Sequence, residues 1–193
     1  MKTEIAALPL VSTLEHLTIH PKEFNEVIAD LFGYNYEDYN ALFEIDKISL
    51  DKDTHVRIPV FSNEECTVFL RIWGPDNATA IHDHYHWKGK IKVLKGLLTE
   101  ISYRENSNFI EYNGATSAPA NMIFQENHPG IHSIVNNDIG ITVSLHIYKS
   151  PEFNLKGIRI FDTGLRRIAW LNEKAASCSW NLPEECYDKI ICN

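Results

Sequence analysis

No two of the four cysteines stand at CxxC spacing, which excludes the common structural zinc and dithiol redox frameworks. Three of them, Cys178, Cys186 and Cys192, fall in the last sixteen residues, with Cys66 alone upstream. A C-terminal disulfide is open on that count, although a reducing compartment favours thiols. Positive charge is also short: 18 Lys and Arg against 26 Asp and Glu leave a formal charge of −8. That balance argues against a general nucleic-acid or anionic-membrane surface. No apolar run approaches the length of a membrane span, and no apolar leader with a small-residue cleavage site opens the chain. Low-complexity tracts and internal repeats are missing as well. What remains is 193 residues, 44% hydrophobic, enough to bury one substantial core. The expectation is a single cytoplasmic domain over 1–193.

The hydrophobic period changes along the chain. Residues 8–44 carry helical signals. Ser12-Thr13-x-Glu15 has the form of a capping box, Pro21 suits a first helical position, and Phe24, Val27, Ile28, Leu31 and Phe32 repeat at helical spacing up to Gly33. Tyr36 to Phe43 reads as a third short helix. From residue 54 the runs become short, β-branched or aromatic, separated by Gly, Pro, Asn and Asp, as in HVRIPVF, CTVFLRIWG, KIKVLKGLLTEISYR and ITVSLHIYK. Such spacing predicts an antiparallel sandwich or barrel, with Pro59 at an edge or bulge. The expected organisation is a helical cap over 1–50, a β-barrel over 54–165, and a tail over 166–193 that packs on the barrel or on a partner through Trp170 and Trp180. Lys88, Lys90, Lys92 and Lys95 read as the wet face of a half-exposed strand, or else as a phosphate-binding patch.

Two imidazoles mark the candidate site. His82 and His84 lie one residue apart after a turn-rich lead-in, so an extended strand sends both from one face and Asp83 from the other. The bland alternative is an incidental surface pair. A second glycine turn, Pro129-Gly130, leads to His132 at the start of another apolar run, and a third imidazole would complete a facial ligand set. Three neutral histidines leave a divalent ion its full charge and open positions. Spacing cannot separate Fe from Zn with a catalytic water. Farther on, Ser144, His146 and Tyr148 alternate along one strand and share a face.

Taken together, G-x7-H-x-H-x4-G-x6-G (Gly74, His82, His84, Gly89, Gly96) and G-x-H-x3-N (Gly130, His132, Asn136) resemble the two cupin motifs. With S-x-H-x-Y at Ser144, His146 and Tyr148, the pattern resembles the cysteine dioxygenase branch of the thiol dioxygenases, from about Arg57 to Pro151. The resemblance implies a cupin jelly-roll barrel with a small helical cap, Fe(II) held by His82, His84 and His132, and oxidation of L-cysteine by dioxygen to cysteine sulfinic acid. It implies that Arg57 pairs with the substrate carboxylate, with Arg71 as the competing arginine. Tyr148 would reach the substrate or bound oxygen, His146 and Ser144 would orient it, and Trp73 would pack near the substrate.

Some positions depart from the pattern. Gly89 stands where most cupins carry an acidic ligand and where animal members carry the cysteine that crosslinks to the tyrosine, so no thioether is expected. Glu100, the nearest acid, lies past Gly96. Lys149-Ser150-Pro151 replaces the family's Ser-Pro-Pro, which shifts or removes a cis peptide and leaves the exact thiol open. His86 is read as a residue beside the ligands or at the cavity mouth, and His128 as a loop residue. The competing functions are a 3-mercaptopropionate or other small-thiol dioxygenase, a non-catalytic metal-bearing cupin, and a zinc hydrolase.

Overall fold

The structure is a computed structural model that describes residues 9–84, 88–126 and 130–192, with Glu126 in its backbone only. The expectations for His86 and His128 lie outside the described residues. Three helices come first: α1 (Pro9–Ile19), α2 (Phe24–Leu31) and α3 (Tyr36–Phe43). Twelve described strands follow: β1 (His55–Ser62), β2 (Thr67–Trp73), β3 (Ile81–Asp83), β4 (Gly89–Lys95), β5 (Leu97–Glu105), β6 (Ile110–Pro119), β7 (Ile123–Glu126), β8 (Ile131–Asn136), β9 (Thr142–Tyr148), β10 (Arg159–Asp162), β11 (Arg167–Leu171) and β12 (Tyr187–Cys192). They form two antiparallel sheets, ordered β1-β2-β9-β4-β7 and β12-β11-β10-β3-β8-β5-β6. This is the cupin jelly roll that the motifs implied. None of the described helices is long and apolar enough to cross a membrane.

Strand alternation divides the five-stranded sheet into two chemically different faces. Val68, Leu70 and Ile72 of β2 and Val143, Leu145 and Ile147 of β9 point outward, into a core shared with Leu10, Leu17, Val27, Leu31 and Tyr39 of the helices. Each such aliphatic side chain contributes roughly 1.5–3 kcal/mol on full burial. The intervening residues face the second sheet. Of these, Trp73, Ile91, Val93 and Phe124 meet Leu98 and Ile134 from the opposite sheet in an apolar plug. The same inner face carries Arg57, Arg71, Ser144, His146 and Tyr148, because Arg71 is directly opposite both Arg57 and Ser144.

Several local expectations need correction. Ser12 and Thr13 do not cap α1, whose described part is already helical at Pro9, and Thr13 instead meets the Tyr34 hydroxyl at 2.6 Å. Pro21 precedes α2, whose capping box is formed by Glu23 and Glu26. The lysine stripe is not a wet face throughout. Lys92 is 7% exposed, and its Nζ donates to the Phe32 and Tyr34 carbonyls at 2.7 and 2.8 Å. Lys95 reaches Asp46 at 3.2 Å. The long run from Lys90 to Arg104 is two strands, broken at Gly96. There φ is +82°, and an added Cβ would collide with the Thr142 side chain. Pro59 sits beside a register shift in the edge strand β1.

The segment beyond residue 163 extends the seven-stranded sheet with β11 and β12. Between those strands it runs past the barrel mouth. There the Ala80 amide donates to the Cys178 carbonyl at 2.9 Å and Arg57 donates to the Ala176 carbonyl at 3.0 Å.

Candidate metal centre

Pairing of β3 with β8 sets His82 directly opposite His132, and His84 follows at the end of β3. The ring centroids of the three imidazoles form a near-equilateral triangle with sides of 4.8–4.9 Å. One ring nitrogen of each lies within 4.8 Å of the others, and all three side chains are buried. Asp83 turns to the other face. Its carboxylate accepts from the Arg159 amide at 2.9 Å and from Arg159 Nε at 2.5 Å, which ties the three-residue strand to β10.

Hydrogen bonds on the far side of the rings fix which nitrogen faces inward. His82 Nδ1 lies 2.9 Å from the Ala80 carbonyl, which can only accept, so Nδ1 carries the hydrogen and Nε2 keeps its lone pair. His132 Nδ1 is likewise 2.6 Å from Glu100 Oε1, a carboxylate–histidine pair of the kind that orients metal ligands. Nε2 of His132 then faces Nε2 of His84 at 2.8 Å. Two nitrogens held at about 2.0–2.1 Å by one ion stand roughly 3 Å apart, so this spacing is close to that of a ligated pair. Burial, followed by the neighbouring His132 and His84, holds the His82 imidazole well below its usual pKa and therefore neutral. Inward nitrogens on His82 and His132, with their outward N–H groups set by acceptors, and the nearby Nε2 of His84 make a three-histidine set that could hold a divalent transition metal.

Glu100 is the part of this centre that sequence reasoning missed. It sits on β5, two residues from Leu98, and its contact with His132 exists only through the β5–β8 pairing. The one available signal was parity, since an acid at position 100 shares the inward face with buried Leu98. Asn136, by contrast, belongs to the motif but not to the centre. Its amide nitrogen lies 2.8–3.2 Å from the carbonyls of Trp73, Gly74 and Gly140, and its oxygen accepts from Thr142 at 2.8 Å. Gly74 is needed in the same knot, because a Cβ there would strike the Asp51 carbonyl oxygen.

Across the barrel, Trp73 Nε1 donates to Ser144 Oγ at 2.8 Å, Ser144 Oγ lies 2.8 Å from His146 Nε2, and His146 Nδ1 lies 3.3 Å from the Tyr148 hydroxyl. Indole N–H only donates, so the polarity that satisfies each member runs from Trp73 through Ser144 and His146 to the Tyr148 oxygen. The tyrosine proton is thereby turned away from His146. Burial first, then Arg71 and Arg57, pushes the His146 pKa well down, keeping it neutral. Phe69 stacks on His146 at 5.0 Å and on Tyr148 at 5.7 Å, fixing both rings.

A cavity of about 30 Å³ lies between these walls, lined among others by Arg57, Arg71, His82, His84, His146 and Tyr148. None of its described lining residues is an acid. The Arg57 guanidinium carbon lies 3.9 Å from the Phe153 ring centroid and 4.9 Å from that of Phe69, two rings set edge to face, and burial lowers its pKa. Trp73 is not on this wall. It lies under the Arg71 guanidinium at 3.8 Å and behind Ser144, supporting lining residues instead of meeting a ligand. Ser144 is also set back, behind His146. Gly89 stands opposite Tyr148 in the β4–β9 register.

The family described as cysteine dioxygenase type I matches residues 10–163, a span that contains the three histidines, Arg57 and the Ser144–Tyr148 strand. The chain belongs to the cysteine dioxygenase type I family. Among solved structures, similarity extends to an uncharacterized conserved protein with a double-stranded β-helix domain from Klebsiella pneumoniae (14% identity, 60% of this chain and 87% of that one, TM-score 0.46). It also extends to a Bacillus halodurans protein (13%, 57% and 80%, TM-score 0.47) and to the cupin domain of Schizosaccharomyces pombe Cnp3 (10%, 55% and 71%, TM-score 0.44). The cysteine dioxygenase match ends before Cys178, which lines the cavity, and Ala176, whose carbonyl accepts from Arg57.

Proposed function

We propose that the protein is an Fe(II)-dependent thiol dioxygenase that converts L-cysteine and dioxygen into cysteine sulfinic acid. The observation that carries this reading is the pairing of a three-histidine site, without an acid ligand among the described residues, with an arginine and a tyrosine relay across one small buried cavity. Bound Fe(II) supplies a redox-active centre with open positions and favours the deprotonated form of a thiol. The thiol sulfur gains two bonds to oxygen, the O–O bond breaks, and the S–H proton leaves with the sulfinic acid group. Sulfur thus gives up the four electrons that dioxygen takes.

The chain's own residues bind and orient. Arg57 faces the substrate carboxylate with a planar donor fork, positioned by the Phe153 and Phe69 rings beside it. Tyr148 turns its hydroxyl proton toward the reacting groups because His146 occupies its oxygen. Glu100 keeps His132 in the tautomer that leaves Nε2 available. The small, buried cavity keeps out bulk water and larger thiols.

A second reading is 3-mercaptopropionate, which lacks the amine. The absence of any acid among the described lining residues favours it, since no carboxylate waits for an ammonium group. Iron-loaded protein in an oxygen electrode tests both readings. Uptake with cysteine or 3-mercaptopropionate, abolished by chelation and matched by sulfinate, is the expected result. No uptake with any small thiol refutes the enzyme.

A further inference from the structure

Residues 172–186 join β11 to β12 and lie beyond the span of the family match, yet they supply two groups to the candidate site. Both are backbone carbonyls. The Ala176 carbonyl accepts from the Arg57 guanidinium at 3.0 Å, and the Cys178 carbonyl accepts from the Ala80 amide at 2.9 Å. Ala80 in turn holds the His82 ring through its own carbonyl at 2.9 Å. One short strap of chain therefore touches the substrate arginine of the reading above and the residue that supports a metal ligand.

A guanidinium on a long side chain can turn, and it grips a carboxylate in two parallel bonds only when the fork lies at the right angle. Ala176 fixes that angle from one side, and the Phe153 ring, 3.9 Å from the guanidinium carbon, fixes it from another. Arg57 Nε is buried with no hydrogen-bond partner among the described residues, so a donor remains for an incoming anion.

Packing alone does not hold the strap at this point. Cys178 lines the inner cavity and also a neighbouring polar pocket of about 250 Å³, together with Ser177, Ser179 and Asn181, so open space lies beside the strap. Its shape is set instead from its two ends. Asn172 Nδ2 donates to the Glu185 carbonyl at 2.9 Å and Asn172 Oδ1 accepts from the Lys174 amide at 3.0 Å, which ties the start of the strap to its end. The Tyr187 hydroxyl donates to the Ser179 carbonyl at 3.1 Å and accepts from the Leu182 amide at 3.2 Å.

We infer that the 172–186 strap is a positioning element of the substrate site: held in shape by Tyr187 and Asn172, it aims the Arg57 fork through the Ala176 carbonyl. Tyr187 is then a positioning residue, which acts on the substrate carboxylate through the strap without touching it. The inference rests on Arg57 as the carboxylate anchor of the thiol dioxygenase reading, and it brings into that site a part of the chain outside the family match.

Binding without turnover separates this inference from the reading beneath it. Acetate serves as a thiol-free probe on the full-length protein as isolated, with the Arg57 Nε–H signal followed by NMR of ¹⁵N-labelled protein. Tyr187→Phe removes both hydrogen bonds of the hydroxyl and keeps the ring that stacks on Trp180. Combined with Asn172→Ala, it should raise the acetate midpoint about tenfold, the scale of one charge-assisted bond lost from alignment. The Ala80 amide, whose acceptor lies on the strap, should exchange its hydrogen faster in the same variant. On iron-loaded protein the double variant should raise KM for L-cysteine by a similar factor while kcat stays within about twofold, a split that lost stability alone does not produce. An acetate midpoint unchanged in the double variant overturns the inference, whether or not the Ala80 amide exchanges faster. So does an Arg57 signal that acetate leaves unmoved in the unmutated protein. Absence of oxygen uptake with every thiol refutes the dioxygenase reading instead, and an acetate midpoint that still follows the strap would then describe a carboxylate-binding site.

Discussion

Glu100 decides how His132 presents itself to a metal, because the carboxylate fixes the hydrogen on Nδ1 at 2.6 Å. Glu100→Gln keeps the shape but loses the charge-assisted bond, and should weaken iron or zinc binding by about 10–100-fold in competition titrations. Tyr148→Phe removes the hydroxyl at the end of the relay. It should lower kcat by about 10²–10⁴-fold with a smaller change in KM, read from steady-state oxygen uptake. The three histidines were legible in sequence because strand parity and glycine turns are local signals. Glu100 and the supporting place of Trp73 were not, since both contacts arise only when distant strands pair, β5 with β8 and β2 with β9. Arg71 was visible as an odd charge in an apolar strand, but its position opposite Arg57 needed the register.

At the scale of elements, the helical cap is fastened by a side chain that sequence reasoning assigned to solvent. Lys92 fits the period of an exposed strand face, yet α2 and the turn after it bring two backbone carbonyls onto its ammonium. Lys92→Met leaves those carbonyls without their donor and should destabilise the fold by about 1–3 kcal/mol. The melting temperature should fall by several degrees in calorimetry. Helix existence was readable from the 3.6-residue period, and α3 begins after Asn35 as its pattern suggested. The first two boundaries were not, because Ser, Thr and Pro signals compete locally and tertiary contacts decide among them. Strands β11 and β12 escaped notice for a similar reason. Their apolar residues pack on the barrel's extension through Leu155, Ile158 and Ile160, contacts that arise only once the sheet has formed.

Across the whole molecule, buried neutral imidazoles couple stability to pH. His146 is held well below its ordinary pKa by burial and then by the two arginines, and His55 is lowered to about 4 by burial, Arg71 and Arg57. Unfolded histidines protonate near 6.5 while these two stay neutral, so the unfolded state binds more protons and stability falls as pH drops. The chain without added metal should lose melting temperature steadily from pH 6.5 toward 4, and His55→Gln should flatten that slope. A melting temperature independent of pH over this window would contradict the assignment. The most direct measurement of the central claim is oxygen-isotope labelling of the product. Iron-loaded protein supplied with a small acidic thiol and ¹⁸O₂ should yield a sulfinate carrying two labelled oxygens. Unlabelled or singly labelled sulfinate, or disulfide with peroxide in its place, would contradict it.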